Sequence, residues 1–489
     1  MLGIDPAVNL VAEYAKKCVR CGQCRSVCPI FFEMRTEGFS PRARVFLAEL
    51  VHRACKEEPG PSAGQSGAGD PGPGVGEGSG PAAVGVMGAG LDADTRAGKP
   101  ADHRSKGRRD AGPRDENGEL VDNSELIDEA WDRMLTCLLC RGCSADCPSG
   151  VPVDDIIVAA RKEYIGYRGK PPAIKELGRR LLETHNVAGD ANENRLLWME
   201  GLDSADQVPQ VGVSRGTPDA LVYFMGCVSS LYPGAYKIPR ALTRIMNRAG
   251  IKFAVLGGEE WCCGYPLAVL GLQEEAEEMA RHNVEKVKSL GAQRVLTSCP
   301  SCYYMWKHVS KQAYAELEVI HYTSLLREIV VGCKVELRPR ETVATYHDPC
   351  DLGRKCGVYD PPREVLARIP GLVFKEMANS RQNARCCGGG GNLEMNNPDL
   401  SVRVARSRLT QAVDTGATLI VTACQQCART LTKAAQKTRA LKAGTADAGG
   451  QRASSAGNAV PTRDRLPNIM VKDIAELVWE AMLPGTSSS

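Results

Sequence analysis

Histidine, aromatic residues and long apolar runs are scarce in this chain. Seven histidines occur among 489 residues, and none joins a cysteine cluster at a zinc-finger spacing. Aromatic residues make up only 5% of the sequence. No stretch reaches the roughly 18–20 consecutive apolar residues of a membrane span. The start, MLGIDPAVNLVAEYAKK, has no basic end followed by an apolar block, so no secretory leader is expected. A twin-arginine leader is not expected either, because Arg108-Arg109 and Arg179-Arg180 lie well inside the chain. Net charge is only +3 with the basic residues spread out, which gives no reason to expect nucleic acid. These absences lead to the expectation of a cytoplasmic protein, with a peripheral place on the inner membrane face as the variant of it.

Cysteine is what the chain has in excess, with 21 residues. In a reducing compartment such thiols are not a disulfide framework, so metal ligation is the default reading. Eighteen fall into four patterns, and Cys55, Cys333 and Cys356 are left over and expected to be unligated. The shortage of histidine points to iron–sulfur groups and away from zinc.

Two patterns are runs of four. Cys18, Cys21, Cys24 and Cys28 precede Pro29, and Cys137, Cys140, Cys143 and Cys147 precede Pro148. Three thiolates spaced by two residues can wrap one cubane, and the fourth supplies the last corner of a neighbouring one. On that logic Cys18, Cys21, Cys24 and Cys147 hold one [4Fe–4S] cluster, and Cys137, Cys140, Cys143 and Cys28 hold the other. Zinc within each run is the alternative, disfavoured because structural zinc prefers two well-separated pairs.

The other two patterns are sets of five: Cys227, Cys262, Cys263, Cys299 and Cys302, then Cys350, Cys386, Cys387, Cys424 and Cys427. The copies are offset by 123 at the first cysteine, 124 at the adjacent pair and 125 at the last two. A cubane needs one thiolate per iron, so five thiols over four irons imply an open cluster or a spare thiolate for exchange. Zinc, or a simple [4Fe–4S] cluster with one bystander thiol, remains the competing reading. The closing Cys-x-x-Cys of each set sits where a strand feeds a helix, and a helix N-terminus favours thiolate.

Residues 1–185 read as an all-helical domain, interrupted at 57–119 by a Gly-, Pro-, Ala- and Ser-rich insertion expected to be disordered. Residues 186–218 read as a polar connector. Strand and helix alternate through 219–335 and again through 340–483, where 441–465 is a low-complexity insertion. LEVIHYTSLLREIV and PNIMVKDIAELVWEAM extend the repeat at an offset of 151. The fold class expected is α + α/β, a helical two-cluster domain followed by two duplicated α/β lobes with parallel sheets. His347 is read as a strand-end hydrogen-bonding residue, with proton donation to a leaving thiolate as the alternative, and Trp261, Tyr303 and Tyr304 as packing residues. Gly388–Gly391 follow a cysteine pair and not a strand, so a dinucleotide loop is rejected; they let backbone approach a bound group.

The five-cysteine sets resemble the CCG cysteine-rich domain of the heterodisulfide reductase family. Two ferredoxin-like runs ahead of two such domains resemble the D-type subunit of heterodisulfide reductase and the glycolate and lactate oxidase iron–sulfur subunits. CLLCRGCSADCPSGV, from Cys137 to Val151, is particularly similar to the second cluster segment of the glycolate oxidase subunit. The resemblance implies a dicluster ferredoxin-like domain and one non-cubane [4Fe–4S] cluster in each complete CCG set, with all ten lobe cysteines as ligands at the catalytic end. It implies an oxidoreductase iron–sulfur subunit that passes electrons from two cubanes to the CCG lobes. The alternative is a catalytic subunit in which a thiol disulfide is cleaved between the paired clusters. Implied partners are a flavoprotein dehydrogenase or electron-transfer subunit and a membrane quinone- or haem-binding subunit.

Overall fold

The computed structural model describes residues 10–57, 124–206, 208, 221–442 and 469–483. The expected insertions at 57–119 and 441–465 lie outside the described residues, apart from the ends of two helices at 57 and 441–442.

Among the described residues helices alone precede the first strand: α1 (Leu10–Lys17), α2 (Pro29–Met34), α3 (Pro41–Glu57), α4 (Ser124–Leu135), α5 (Gly142–Ala145), α6 (Val153–Arg168) and α7 (Pro172–Thr184). Proline at the first position starts α2 and α3, where a missing N–H costs nothing. The Cys28 sulfur accepts from Phe31 N at 3.4 Å, and Ser40 Oγ accepts from Ala43 N at 3.1 Å. A cysteine therefore caps one helix in the way a serine caps the next.

The first lobe then runs β1 (Leu221–Phe224), α8 (Cys227–Leu231), α9 (Lys237–Arg248), α10 (Tyr265–Ala268), α11 (Gln273–Ser289), β2 (Arg294–Thr297), α12 (Pro300–Ala313), β3 (Glu318–His321) and α13 (Tyr322–Val331). The second runs β4 (Thr342–His347), α14 (Asp360–Ala367), β5 (Leu372–Phe374), α15 (Leu393–Asn396), α16 (Pro398–Val413), β6 (Leu419–Thr422), α17 (Gln425–Lys442), β7 (Met470–Asp473) and α18 (Ile474–Met482). Both sheets are wholly parallel, in the orders β1-β2-β3 and β5-β4-β6-β7. Short apolar strands such as LVYF and LIVT, buried at every residue, are what a sheet covered on both faces requires. The apolar segment IKFAVLG, which reads as a strand in sequence, pairs among the described residues only through the bridge of Val222 and Ala254. Gly257 begins a turn at once and carries the chain towards Cys262, so no ladder can extend.

The two sheets share one register. Phe224, Thr297 and His321 lie side by side in the first, and His347, Thr422 and Asp473 in the second. His321 and Asp473 each sit at the N-cap of the following helix, so the copies are offset by 152 there, one residue from the 151 read off the sequence. The residues that the one-residue slip pairs in sequence, Tyr322 and Asp473, are bonded in space. The Tyr322 hydroxyl meets both carboxylate oxygens at 2.8 Å, and α9 of the first lobe packs against α18 of the second.

Core packing ties the helices before β1 to both lobes. One core runs from Val45, Trp131 and Ile157 into Val222, Leu272 and Cys262; another joins Ile30 and Leu138 to Cys386, Leu400 and Leu431. A third, with Trp198, Ile320, Tyr346 and Ile474, lies between the lobes. Fully buried Arg161 on α6 donates to Val269 O at 2.5 Å and Met134 O at 2.6 Å, bonding the helical part to the first lobe.

Candidate metal centres

The helical part contains two small cavities. One is lined by Cys18, Cys21, Cys24 and Cys147, the other by Cys137, Cys140, Cys143 and Cys28. Each run thus contributes three thiols to one cavity and its fourth to the other. The turn that arranges this is the same in both. Arg20 and Gly22 flank Cys21 with φ of 56° and 82°, and Leu139 and Arg141 flank Cys140 with φ of 50° and 61°. Left-handed residues on either side of a cysteine turn peptide N–H groups inward, the concavity that receives an anionic group. Three of these four are not glycine, so the backbone strain is held where the thiols converge.

Burial pushes Cys24 up to about 11 and drives Cys28 and Cys143 upward too. Thiolates are disfavoured there unless a metal supplies positive charge.

The ten lobe cysteines form two contacting series in the same order. In the first lobe Cys227 contacts Cys262, then Cys263, Cys302 and Cys299. In the second Cys350 contacts Cys386, then Cys387, Cys427 and Cys424, with 3.3 Å between the sulfurs of Cys387 and Cys427. Each position in one series is the repeat equivalent of the same position in the other. Hydrogen bonds from neighbouring thiols pull Cys263 down to about 6, with Cys262 first, and pull Cys387 well below the usual thiol range, with Cys386 first. Glycine is forced at Gly226, where φ is +76° and a Cβ would stand 2.9 Å from the Cys302 sulfur.

The four groups adjoin in space in an order that differs from their order along the chain. Cys24 feels the charge of Cys28, linking the two helical cavities. Cys140 lies against Cys386, whose thiol brings it down to about 6. Cys424 in turn feels Cys299 of the first lobe. At the Cys140 junction Gly391 backs onto backbone so closely that a Cβ would lie 2.1 Å from Cys137 O. Arg354 clamps the same seam, donating to Cys140 O and Ala384 O at 2.6 Å each.

A cavity of about 380 Å³ opens between the lobes, lined by nine of the ten lobe cysteines. Cys386 is the exception and stands behind it, towards Cys140. Tyr265, Asp351, Arg180, Arg429 and Glu394 complete parts of its wall. Below Tyr265, buried Lys355 reaches the Tyr265 hydroxyl at 2.7 Å and Asp351 at 2.9 Å, and Ser301 donates to Asp351 at 2.6 Å.

Sulfur-only donor sets of four and five fit iron–sulfur groups. Peptide N–H groups aimed at sulfur strengthen that fit: Gly388 to Cys386 at 3.5 Å, Gly389 to Cys387 at 3.4 Å and Cys427 to Cys424 at 3.4 Å. Cys55, Cys333 and Cys356 line none of these cavities. Trp261, expected only to pack, is stacked between the rings of His185 and His282 at 3.6 and 3.7 Å.

Sequence reasoning missed Arg195. It lies in the segment read as a polar connector, yet Asn186, Arg195 and Trp198 are all fully buried. The segment folds as a tight turn-like helix, Asn192–Met199, that carries the guanidinium to Cys227. Glu260, two residues before Cys262, balances it and was missed as well.

Comparison with known proteins places the CCG Cysteine-rich domain at residues 221–307 and 344–432. The D-type subunit of the dihydromethanophenazine:CoB–CoM heterodisulfide reductase of Methanosarcina barkeri is 35% identical over 380 residues, which cover 75% of this chain and 82% of that protein. The probable iron-sulfur-binding oxidoreductase FadF of Bacillus subtilis is 30% identical, over 64% of this chain and 44% of its own length. EtfAB:quinone oxidoreductase of Syntrophomonas wolfei is 28% identical, over 74% and 47%.

Proposed function

Because the chain belongs to the family of the heterodisulfide reductase D-type subunits, we propose that it is the iron–sulfur electron-transfer subunit of an oxidoreductase complex. The observation that carries this reading is the unbroken adjacency of four sulfur groups, from half-exposed Cys18 and exposed Cys21 to the cavity between the lobes. Residues 1–185 act in it as a dicluster ferredoxin-like domain. Cys18, Cys21, Cys24 and Cys147 would hold one [4Fe–4S] group, and Cys137, Cys140, Cys143 and Cys28 a second. The five cysteines of each lobe would hold one group each, of open geometry, because a fifth thiol exceeds what a cubane takes. Such groups supply one-electron transfer when bound.

The protein's own residues exclude water, aim N–H groups at sulfur and hold the seams closed. Arg354 and the glycines at Cys137 and Leu138 keep the second helical group against the second lobe. A partner flavoprotein fits the exposed end near Cys21, since single electrons must enter or leave there. Among the described residues no helix is long and apolar enough to cross a membrane, so a quinone or haem link falls to a membrane partner. Twenty-one free thiols suit the reducing cytoplasm.

A second reading, direct cleavage of a thiol disulfide by this chain, is favoured by one feature: both five-cysteine sets are complete and share one cavity. Dye-driven reduction of a mixed thiol disulfide by the isolated, anaerobically prepared chain separates the two. Turnover by the chain alone favours the second. Turnover that appears only with a co-purifying flavoprotein favours the first.

A further inference from the structure

The two lobes share one register, so their differences can be read position by position. At the strand position next to the thiols the first lobe has Phe224 and the second has His347. Phe224 is fully buried and meets Trp306 edge-on at 5.3 Å. His347 is 1% exposed, and its ring nitrogens and the sulfurs of Cys387 and Cys427 offer atoms within 4.8 Å of one another. A second replacement accompanies the first. Ala276 O and Ser401 O abut the equivalent glycines Gly264 and Gly388, so the residue seven further on, Asn283 in the first lobe, becomes Arg408 in the second. Asn283 bonds only backbone and reaches no imidazole. Arg408, 1% exposed, donates from Nε to His347 Nδ1 at 3.1 Å and from Nη1 to Asn379 O and Gln411 Oε1.

A guanidinium is always a donor, so Nδ1 must present its lone pair. The ring proton then sits on Nε2, which has no nitrogen or oxygen partner although it is buried. A nitrogen that carries a proton cannot ligate iron, and the other nitrogen is taken by Arg408. What remains for Nε2–H is sulfur.

We infer that His347 is a positioning residue of the second lobe, locked by Arg408 so that Nε2–H donates to the Cys387 thiolate and does not ligate iron. This rests on the reading that an iron–sulfur group occupies the second set. A donor to a ligand sulfur stabilises the more negative, reduced state, so this donor raises the reduction potential of the second-lobe group above its value without it. At the equivalent strand position the first lobe has Phe224, which offers no donor; its own side-chain donor to a set sulfur is Arg195, at Cys227.

The test is redox-poised EPR of the anaerobically purified chain, with iron counted per chain. His347→Phe, the residue of the first lobe, should keep its iron and move one midpoint potential downward, and His347→Gln, which retains an N–H, should recover part of the shift. Unchanged potentials with iron retained would overturn the inference, and so would loss of iron from one site. Wild-type protein labelled with 15N-histidine covers the case of variants that do not fold. Hyperfine coupling of hydrogen-bond size supports the donor role, and coupling of direct-ligand size contradicts it. Absence of iron from the wild type would instead remove the functional reading beneath it.

Discussion

Arg195 Nη2 lies 3.3 Å from the Cys227 sulfur, and both residues are buried. The same guanidinium meets Glu260 at 2.9 Å, and Glu260 also accepts the N–H groups of Met225 and Gly226. One buried ion pair therefore fixes both the first cysteine of the first lobe's set and the turn that delivers it.

Arg195→Met should cost about 3–5 kcal/mol of stability, because it strands Glu260 as an unpaired buried carboxylate. Anaerobic chemical denaturation measures this. The paired change Arg195→Met with Glu260→Gln should recover much of the loss, while the signal of the first-lobe group stays altered. Equal losses in the single and double variants would count against the ion pair.

Asp473 supplies the pH dependence. Burial raises its carboxyl from 3.8 to about 8, although Ala475 N and Tyr322 bond to it. A group whose folded value lies above its unfolded one holds more protons when folded. Its contribution is thus complete below about pH 4 and is lost as pH rises towards 8. Between those limits it lowers stability by up to about 1.4 kcal/mol per pH unit. Asp473→Asn keeps a helix-capping side chain and removes the titration. Denaturation midpoints from pH 5 to 8 should therefore fall in the wild type more steeply than in the variant.

In the proposed arrangement of the helical part, the fourth cysteine of each run serves the group of the other run. Cys147→Ser should perturb the group held by Cys18, Cys21 and Cys24, and Cys28→Ser the group held by Cys137, Cys140 and Cys143. Each variant should lose up to about four irons, with only one of the two cubane-type EPR signals affected. Cys356→Ser should lose none. Its thiol is pushed up to about 12 by burial and lines none of the cysteine-lined cavities.

The cysteine groups were legible in the sequence because ligand spacing is local and the repeat is strict. The exchange of Cys28 and Cys147 between the two cavities is the arrangement expected from the pattern in which a fourth cysteine serves the neighbouring group. The parallel sheets were legible too, since LVYF, RVLT and LIVT are short apolar runs between helices. What could not be read depends on contacts between distant segments. Arg195 is a lone arginine in a stretch with no periodicity, and nothing local marks it as a partner of Cys227. The contact of Cys140 with Cys386 joins the helical part to the second lobe, which no pattern within either announces. His347 looked like an ordinary strand-end residue until strand register set it opposite Phe224 and beside Arg408. The slip from 152 to 151 has the same origin, because only the helix caps at His321 and Asp473 fix the alignment there.

Eighteen of the 21 thiols, gathered in four groups, should hold iron. Iron, zinc and acid-labile sulfide should be counted on the full chain purified without oxygen, with EPR at graded reduction. The expected product is a brown protein approaching about sixteen irons, with matching sulfide and essentially no zinc. A colourless chain that carries zinc and no labile sulfide would contradict it.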